Sequence, residues 1–175
     1  MIEILSNPYL WLVLALIFNL GHMLFHVAVY RGYTAKYVGI YDGTVGYLGA
    51  LCVIILVYID RGTVQVPRLI FLPLGLFLFM LGVILHLKAQ LDFNKYNKEM
   101  TLINKGIYRY FKHPMYLGAA ISFIGLTLGS RSYLGLGTVW FWVLLIAICS
   151  YLEEVKLRKD LPKGEYDNYA KRTWI

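Results

Sequence analysis

The chain has 175 residues, enough for one compact unit. It is 59% hydrophobic and only 15% charged, whereas soluble domains carry about a quarter charged residues, so an ordinary soluble domain is excluded. Its net charge of +7 comes with no nucleic-acid motif. Membrane orientation and attraction to anionic lipid heads account for the charge, and no nucleic-acid partner is expected.

The N-terminal stretch MIEILSNPYLW lacks a basic region and a small-residue cleavage site after the first apolar run. Residues 9–30 therefore read as a retained helix, not a signal peptide. Four further runs, 44–59, 69–87, 114–130 and 133–152, hold few or no charges. A bilayer-spanning helix needs ~20 mostly apolar residues, within about 17–25. Three runs meet this easily, while 44–59 and 114–130 are short. A soluble helical core needs a polar face on most helices, and LGALCVIILVYI and FLPLGLFLFMLGVIL offer none. The fold class predicted is an all-α integral membrane protein of about five transmembrane helices. It forms one membrane domain, 1–175, with a three-helix N-terminal part (1–88) and a second part (89–175) holding most of the polar material. Cys52 and Cys149 fall inside spans and form no disulfide framework or metal cluster.

Five spans place the termini on opposite sides. One side receives Arg31, Lys36, Lys88, Lys95, Lys98, Lys105, Arg109, Lys112 and all the basic residues of the tail; the other receives only Arg61, Arg68 and Arg131. The positive-inside rule then puts the N-terminus outside and the C-terminus in the cytoplasm. Only a few residues, around SRSY, join spans four and five, so these spans form a tight antiparallel hairpin. That hairpin is expected to bring Lys112-His113-Pro114, at the start of span four, next to Glu153 and Glu154, at the end of span five. The glycines of GLTLGS and YLGLG read as hairpin and packing residues.

Pro114 suits the first turn of a helix. The N–H groups exposed there, with Lys112 and His113, favour an anionic group. Arg109 and Lys112 are equally well explained as interfacial anchors. Glu153 and Glu154 oppose the helix dipole at the end of an apolar run. Pairing of Glu154 with Arg158 and of Glu153 with Lys156 would account for them structurally; alternatively, a carboxylate at the interface receives an ammonium or sulfonium. His22, His26 and His86 are expected to make interhelical hydrogen bonds, and no metal is expected. The sequence has no HExxH, P-loop, GxSxG or GxGxxG pattern.

The order GIYRYFKHPMYLG, then EEVKL, then YDNYAKR resembles the isoprenylcysteine carboxyl methyltransferase and phospholipid methyltransferase superfamily, over about residues 100–173. The matching positions are Leu102, Ile103, Gly106, Tyr108, His113, Pro114, Tyr116, Leu117, Gly118, Glu153, Glu154, Leu157, Tyr166, Tyr169 and Arg172. Lys112 stands where the family usually has arginine, and Thr173-Trp174-Ile175 where it often continues Val-Pro. The resemblance implies a membrane methyltransferase whose cofactor is S-adenosylmethionine, bound on the cytoplasmic side. It implies that Leu102, Ile103, Gly106 and Tyr108 line the adenosine pocket. His113, Pro114, Tyr116 and Leu117 would face the cofactor, with Glu153 or Glu154 holding its ammonium. Arg172, with Tyr166 and Tyr169, would bind the acceptor, and Arg172, Glu153 and Glu154 are the expected catalytic residues. The expected acceptor is lipophilic, enters from the bilayer among membrane lipids, and is an isoprenylcysteine-like carboxylate. The alternatives are N-methylation of an aminophospholipid, a sterol-type reductase using a nicotinamide cofactor, and a non-enzymatic membrane scaffold.

Overall fold

A computed structural model describes residues 2–31, 38–96 and 102–174. Lys36, Lys98 and Ile175, named above, lie outside the described residues. The described elements are helices: α1 (Ile2–Leu5), α2 (Pro8–Tyr30), α3 (Val38–Ile59), α4 (Arg68–Tyr96), α5 (Pro114–Ser130), α6 (Tyr133–Asp160) and α7 (Glu165–Ala170). A 3-10 turn, Gly106–Arg109, precedes α5. Three helices, α2, α4 and α6, are long and apolar enough to cross a membrane, and Thr44–Ile59 and Pro114–Ser130 are shorter apolar helices. The chain is thus an all-helical protein with the helices of an integral membrane protein.

Two helices outrun the apolar stretches that announced them. α4 continues from 87 to Tyr96, so the 88/89 division falls inside a helix. α6 continues from 152 to Asp160. Both extensions are polar but carry i,i+4 ion pairs: Lys88 with Asp92, Glu154 with Arg158, and Lys156 with Asp160. Such pairs support a helix where lipid no longer does.

α4 and α5 share the most extensive interface. Gly75 and Gly82 on α4 face Gly129 and Ser122 on α5, and Gly118 and Gly125 face back onto His86 and Phe79. A Cβ at any of these four glycines, 75, 82, 118 or 125, would approach neighbouring backbone closer than 3.0 Å. The helices therefore pack backbone to backbone, the arrangement that small residues permit where lipid removes the hydrophobic drive. His86 Nδ1 lies 3.0 Å from the Met115 carbonyl across the same interface, in keeping with the interhelical role expected of it. A second core joins α2, α3 and α6 through Ala15, Cys52, Val53, Val57, Trp142 and Leu145.

The α5–α6 hairpin is built at residues 131–132. Arg131 closes α5 in the left-handed region, φ 55, and Ser132 caps α6 by accepting from the Gly135 amide at 2.8 Å. Asp60, just after α3, is buried and accepts from Ser132 Oγ (2.5 Å) and from the Leu134 amide (2.8 Å). This carboxylate fixes the hairpin against α3, and the hairpin sets what meets at the opposite end.

Candidate active site

At the far end of the hairpin, His113 is the residue before the first turn of α5 and is buried. The pyrrolidine of Pro114, also fully buried, holds the helix start behind it. Two-residue closure of the hairpin puts the last polar turns of α6 alongside. His113 Nδ1 lies 3.2 Å from Glu153 and its Nε2 3.2 Å from Glu154. Lys112 Nζ donates to Glu154 at 3.3 Å, and Arg158 Nη2 donates to the same carboxylate at 3.1 Å. The adjacency expected from loop length is therefore present. Glu154 does pair with Arg158, whereas Glu153 pairs with His113, and Lys156 turns to Asp160 instead.

The arrangement differs from the expected one in how charges are shared. Lys112 and His113 do not stand apart as an anion site; both meet the acidic pair directly. One imidazole thus stands within hydrogen-bond distance of both carboxylates, and each nitrogen that carries a proton donates to the one it faces. The network is close to self-neutralising.

The floor of the site is the Gly106–Arg109 turn. Gly106 has φ +59, and a Cβ there would collide with the Asp92 carboxylate. Asp92, buried on the polar extension of α4, accepts from the Ile107 amide at 2.8 Å and from Lys88 at 2.6 Å. Sequence reasoning passed over Asp92. Its signal was an acid four residues after a lysine at the polar end of an apolar helix, a pattern equally typical of surface pairs. Leu102 and Ile103 lead into this turn half-buried. Tyr108 is buried, and among the described residues its hydroxyl has no hydrogen-bond partner. Burial, then the nearby Glu153 carboxylate, push its phenol well above the ordinary range, so it remains a donor at neutral pH. Tyr116 sits half-buried, its ring 5.8 Å from that of His113, and the Leu117 amide bonds the His113 carbonyl at 2.9 Å.

The tail closes the site from the other side. Gly164, with φ +85, turns the chain into α7. Tyr169 is buried and donates to the Tyr108 carbonyl at 2.8 Å and to that of Phe111 at 3.3 Å. Tyr166 is buried beneath the Arg158 guanidinium, 4.9 Å above its ring, and Arg158 also reaches Asp167 at 3.1 Å. Beyond α7, Trp174 pairs with the strand-like stretch before His113: its amide donates to Tyr110 O at 2.7 Å, and its carbonyl accepts from Lys112 N at 3.0 Å. Tyr169 is thus seated as a clamp on the 108–111 backbone, whereas Tyr166 is held by burial under Arg158. Arg172 is exposed, with no ion pair among the described residues.

Tyr169→Phe removes the clamp and leaves the Tyr108 carbonyl unpaired, at a cost of about 1–3 kcal/mol. The expected result is faster amide exchange over residues 165–174 with little change in the α4–α5 core. Unchanged exchange would show that Trp174 alone holds the tail.

Searches of curated proteins and of solved structures returned no match. A family model for phospholipid methyltransferase matches residues 70–163, which takes in α4, the 106–109 turn, His113 and the glutamate pair and stops short of Tyr166, Tyr169 and Arg172. That match covers more than half of the chain, so this chain, with its glycine-packed helix pair and its histidine bridging two glutamates, belongs to the phospholipid methyltransferase family.

Proposed function

We propose that the protein is an S-adenosylmethionine-dependent methyltransferase acting at the cytoplasmic face of a membrane on a lipophilic acceptor. The carrying observation is His113 bridging Glu153 and Glu154 beside the buried Tyr108 hydroxyl. When bound, S-adenosylmethionine supplies a methyl group activated on a sulfonium, together with an ammonium and a carboxylate. The residues present fit that charge pattern. Glu154 accepts the ammonium in place of Lys112 or His113, and the released cation takes the carboxylate. Ion pairs are exchanged and none is lost, which keeps the desolvation cost of opening the network low. Gly106 lets the turn pack tightly on the Asp92 carboxylate, and Tyr108 brings an O–H donor that, among the described residues, lacks a partner.

The chain's share of methyl transfer is alignment and exclusion of water, since displacement at the methyl carbon needs no covalent attachment to the protein. Arg172 is proposed to hold an acceptor carboxylate, which a guanidinium grips with two parallel hydrogen bonds. Its exposure leaves the guanidinium accessible to such a group. An isoprenylcysteine-like carboxylate is already nucleophilic and needs no base. A second reading, N-methylation of an aminophospholipid, is favoured by the description of the matched family. There Glu153, whose side chain is 35% exposed, would accept the proton from the ammonium headgroup.

Calorimetry with S-adenosylhomocysteine tests the cofactor. Transfer of labelled methyl to farnesylcysteine or to phosphatidylethanolamine separates the acceptors. A base-labile label on farnesylcysteine is the expected outcome, with Arg172→Ala lowering it at least about tenfold while leaving S-adenosylhomocysteine affinity intact. Label on phosphatidylethanolamine alone would shift the assignment to the second reading. Binding of a reduced nicotinamide with no S-adenosylhomocysteine binding would overturn both.

A further inference from the structure

The end of the bundle opposite His113 carries a second concave site. A groove of about 600 Å³ lies between α3, α4 and α5. Its walls are Val57, Leu72, Leu76, Phe79 and Leu126, and it runs beside Gly75 and Gly125 at the edge of the α4–α5 interface. Three guanidinium groups, those of Arg61, Arg68 and Arg131, stand in its lining, and among the described residues no carboxylate does. These are all the basic residues that the five-span topology assigns to that side of the membrane. They lie far apart in sequence, yet the fold brings them to one cavity. Asp60, the nearest acid in sequence, is committed to Ser132 and Leu134 in the hairpin.

The arginines retain capacity for a ligand. Arg61 donates to the Tyr58 carbonyl at 2.6 Å with its guanidinium 4.2 Å above the Tyr58 ring, and Arg131 donates to the Val66 carbonyl at 3.4 Å. Each guanidinium has five N–H donors, so these contacts orient the groups without saturating them. Arg68 is the first residue of α4, where the helix dipole disfavours a cation. An anion beside Arg68 would reverse that penalty.

We propose that this groove is a binding site for an anionic phospholipid, its phosphodiester held by Arg61, Arg68 and Arg131 and an acyl chain lying along the α4–α5 glycine seam. Charge and position select this occupant. The walls belong to α4, long and apolar enough to cross a membrane, and to the shorter apolar helices α3 and α5, so the surrounding medium is acyl chain. The rim presents positive charge with planar donors suited to a phosphate. The site is distinct from the candidate active site: α5 has 17 residues, which at 1.5 Å each puts about 25 Å between its two ends. The lipid is a bound structural component, and no methyl transfer occurs there.

The test uses the full-length chain in nanodiscs of phosphatidylcholine mixed with phosphatidylglycerol, followed by detergent release and native mass spectrometry. The expected result is one phosphatidylglycerol per chain, retained several-fold above its share of the bilayer. Retention should fall to that share in Arg61→Gln/Arg68→Gln/Arg131→Gln. Arg68→Gln alone, at an exposed helix start, should lower it severalfold and serves if the triple variant does not fold. Added inorganic phosphate should not displace the lipid. Equal retention of phosphatidylcholine, undiminished phosphatidylglycerol in Arg68→Gln, displacement by free phosphate, or a lipid-free dimer would each overturn the proposal.

Discussion

Gly125→Ala should unfold or disassemble the helix bundle, although it adds a single methyl group. The new Cβ would sit closer than 3.0 Å to the amide nitrogen of Phe79 and to the Gly75 carbonyl. Neither neighbour is a side chain that can rotate away. The whole of α5 must move off α4, which also parts Gly118 from His86 and the His86 ring from the Met115 carbonyl. Overpacking a core usually costs about 1–3 kcal/mol, and a backbone-on-backbone clash belongs at or above the top of that range. Gly137→Ala is the matched control. It makes the same chemical change in α6, where the added Cβ meets nothing within 4 Å. Its effect should stay within about 1 kcal/mol. Thermal melts and elution profiles in detergent measure both variants. Equal behaviour of the two would refute backbone contact as the basis of the α4–α5 interface.

The glycine result illustrates what could be read from the sequence and what could not. Glycines 125 and 129 were assignable to packing, because GLTLGS offers no other use for them. That Gly75 and Gly82 form the opposing surface was not visible. Their seven-residue spacing lies inside an apolar run where any face can be the buried one. The same limit applies at the site. The proximity of His113 to Glu153 and Glu154 follows from a two-residue hairpin, since chain length alone forces the ends of α5 and α6 together. The sharing of one imidazole by both carboxylates does not, because that depends on rotamers and on which residue turns inward. Asp92 and Asp60 were missed for a related reason. Each is a lone acid near the end of an apolar stretch, and only tertiary structure shows that Asp92 braces the Gly106 turn and Asp60 the hairpin. The tyrosines of the tail were read as acceptor contacts on the strength of a motif. Tyr169 also clamps the 108–111 backbone, a role that the motif alone did not show.

Glu154→Gln should cost the protein its cofactor before it costs the protein its fold. The substitution keeps the side-chain shape but removes the charge that Lys112, His113 and Arg158 converge on, at 3.3, 3.2 and 3.1 Å. Lys112 and Arg158 are partly exposed, at 23% and 43%, and water can take over much of their solvation, so the loss of stability is modest. An incoming ammonium has no such substitute. With the carboxylate gone it meets the Lys112 and Arg158 cations and a neutral amide. The expected fall in S-adenosylhomocysteine affinity is about tenfold to several hundredfold, or roughly 1.4–3.5 kcal/mol. His113→Ala should also weaken binding, since it leaves two carboxylates facing each other with no proton donor between them. The double variant distinguishes a shared site from two independent effects. If histidine and glutamate act through one ion-pair network, the two losses are less than additive by more than about 0.5 kcal/mol. Additive losses would mean that the residues contact the ligand separately. Unaltered affinity in Glu154→Gln, in a protein that still elutes as the wild type does, would remove the carboxylate from the cofactor site and move the ammonium to Glu153, which His113 also holds.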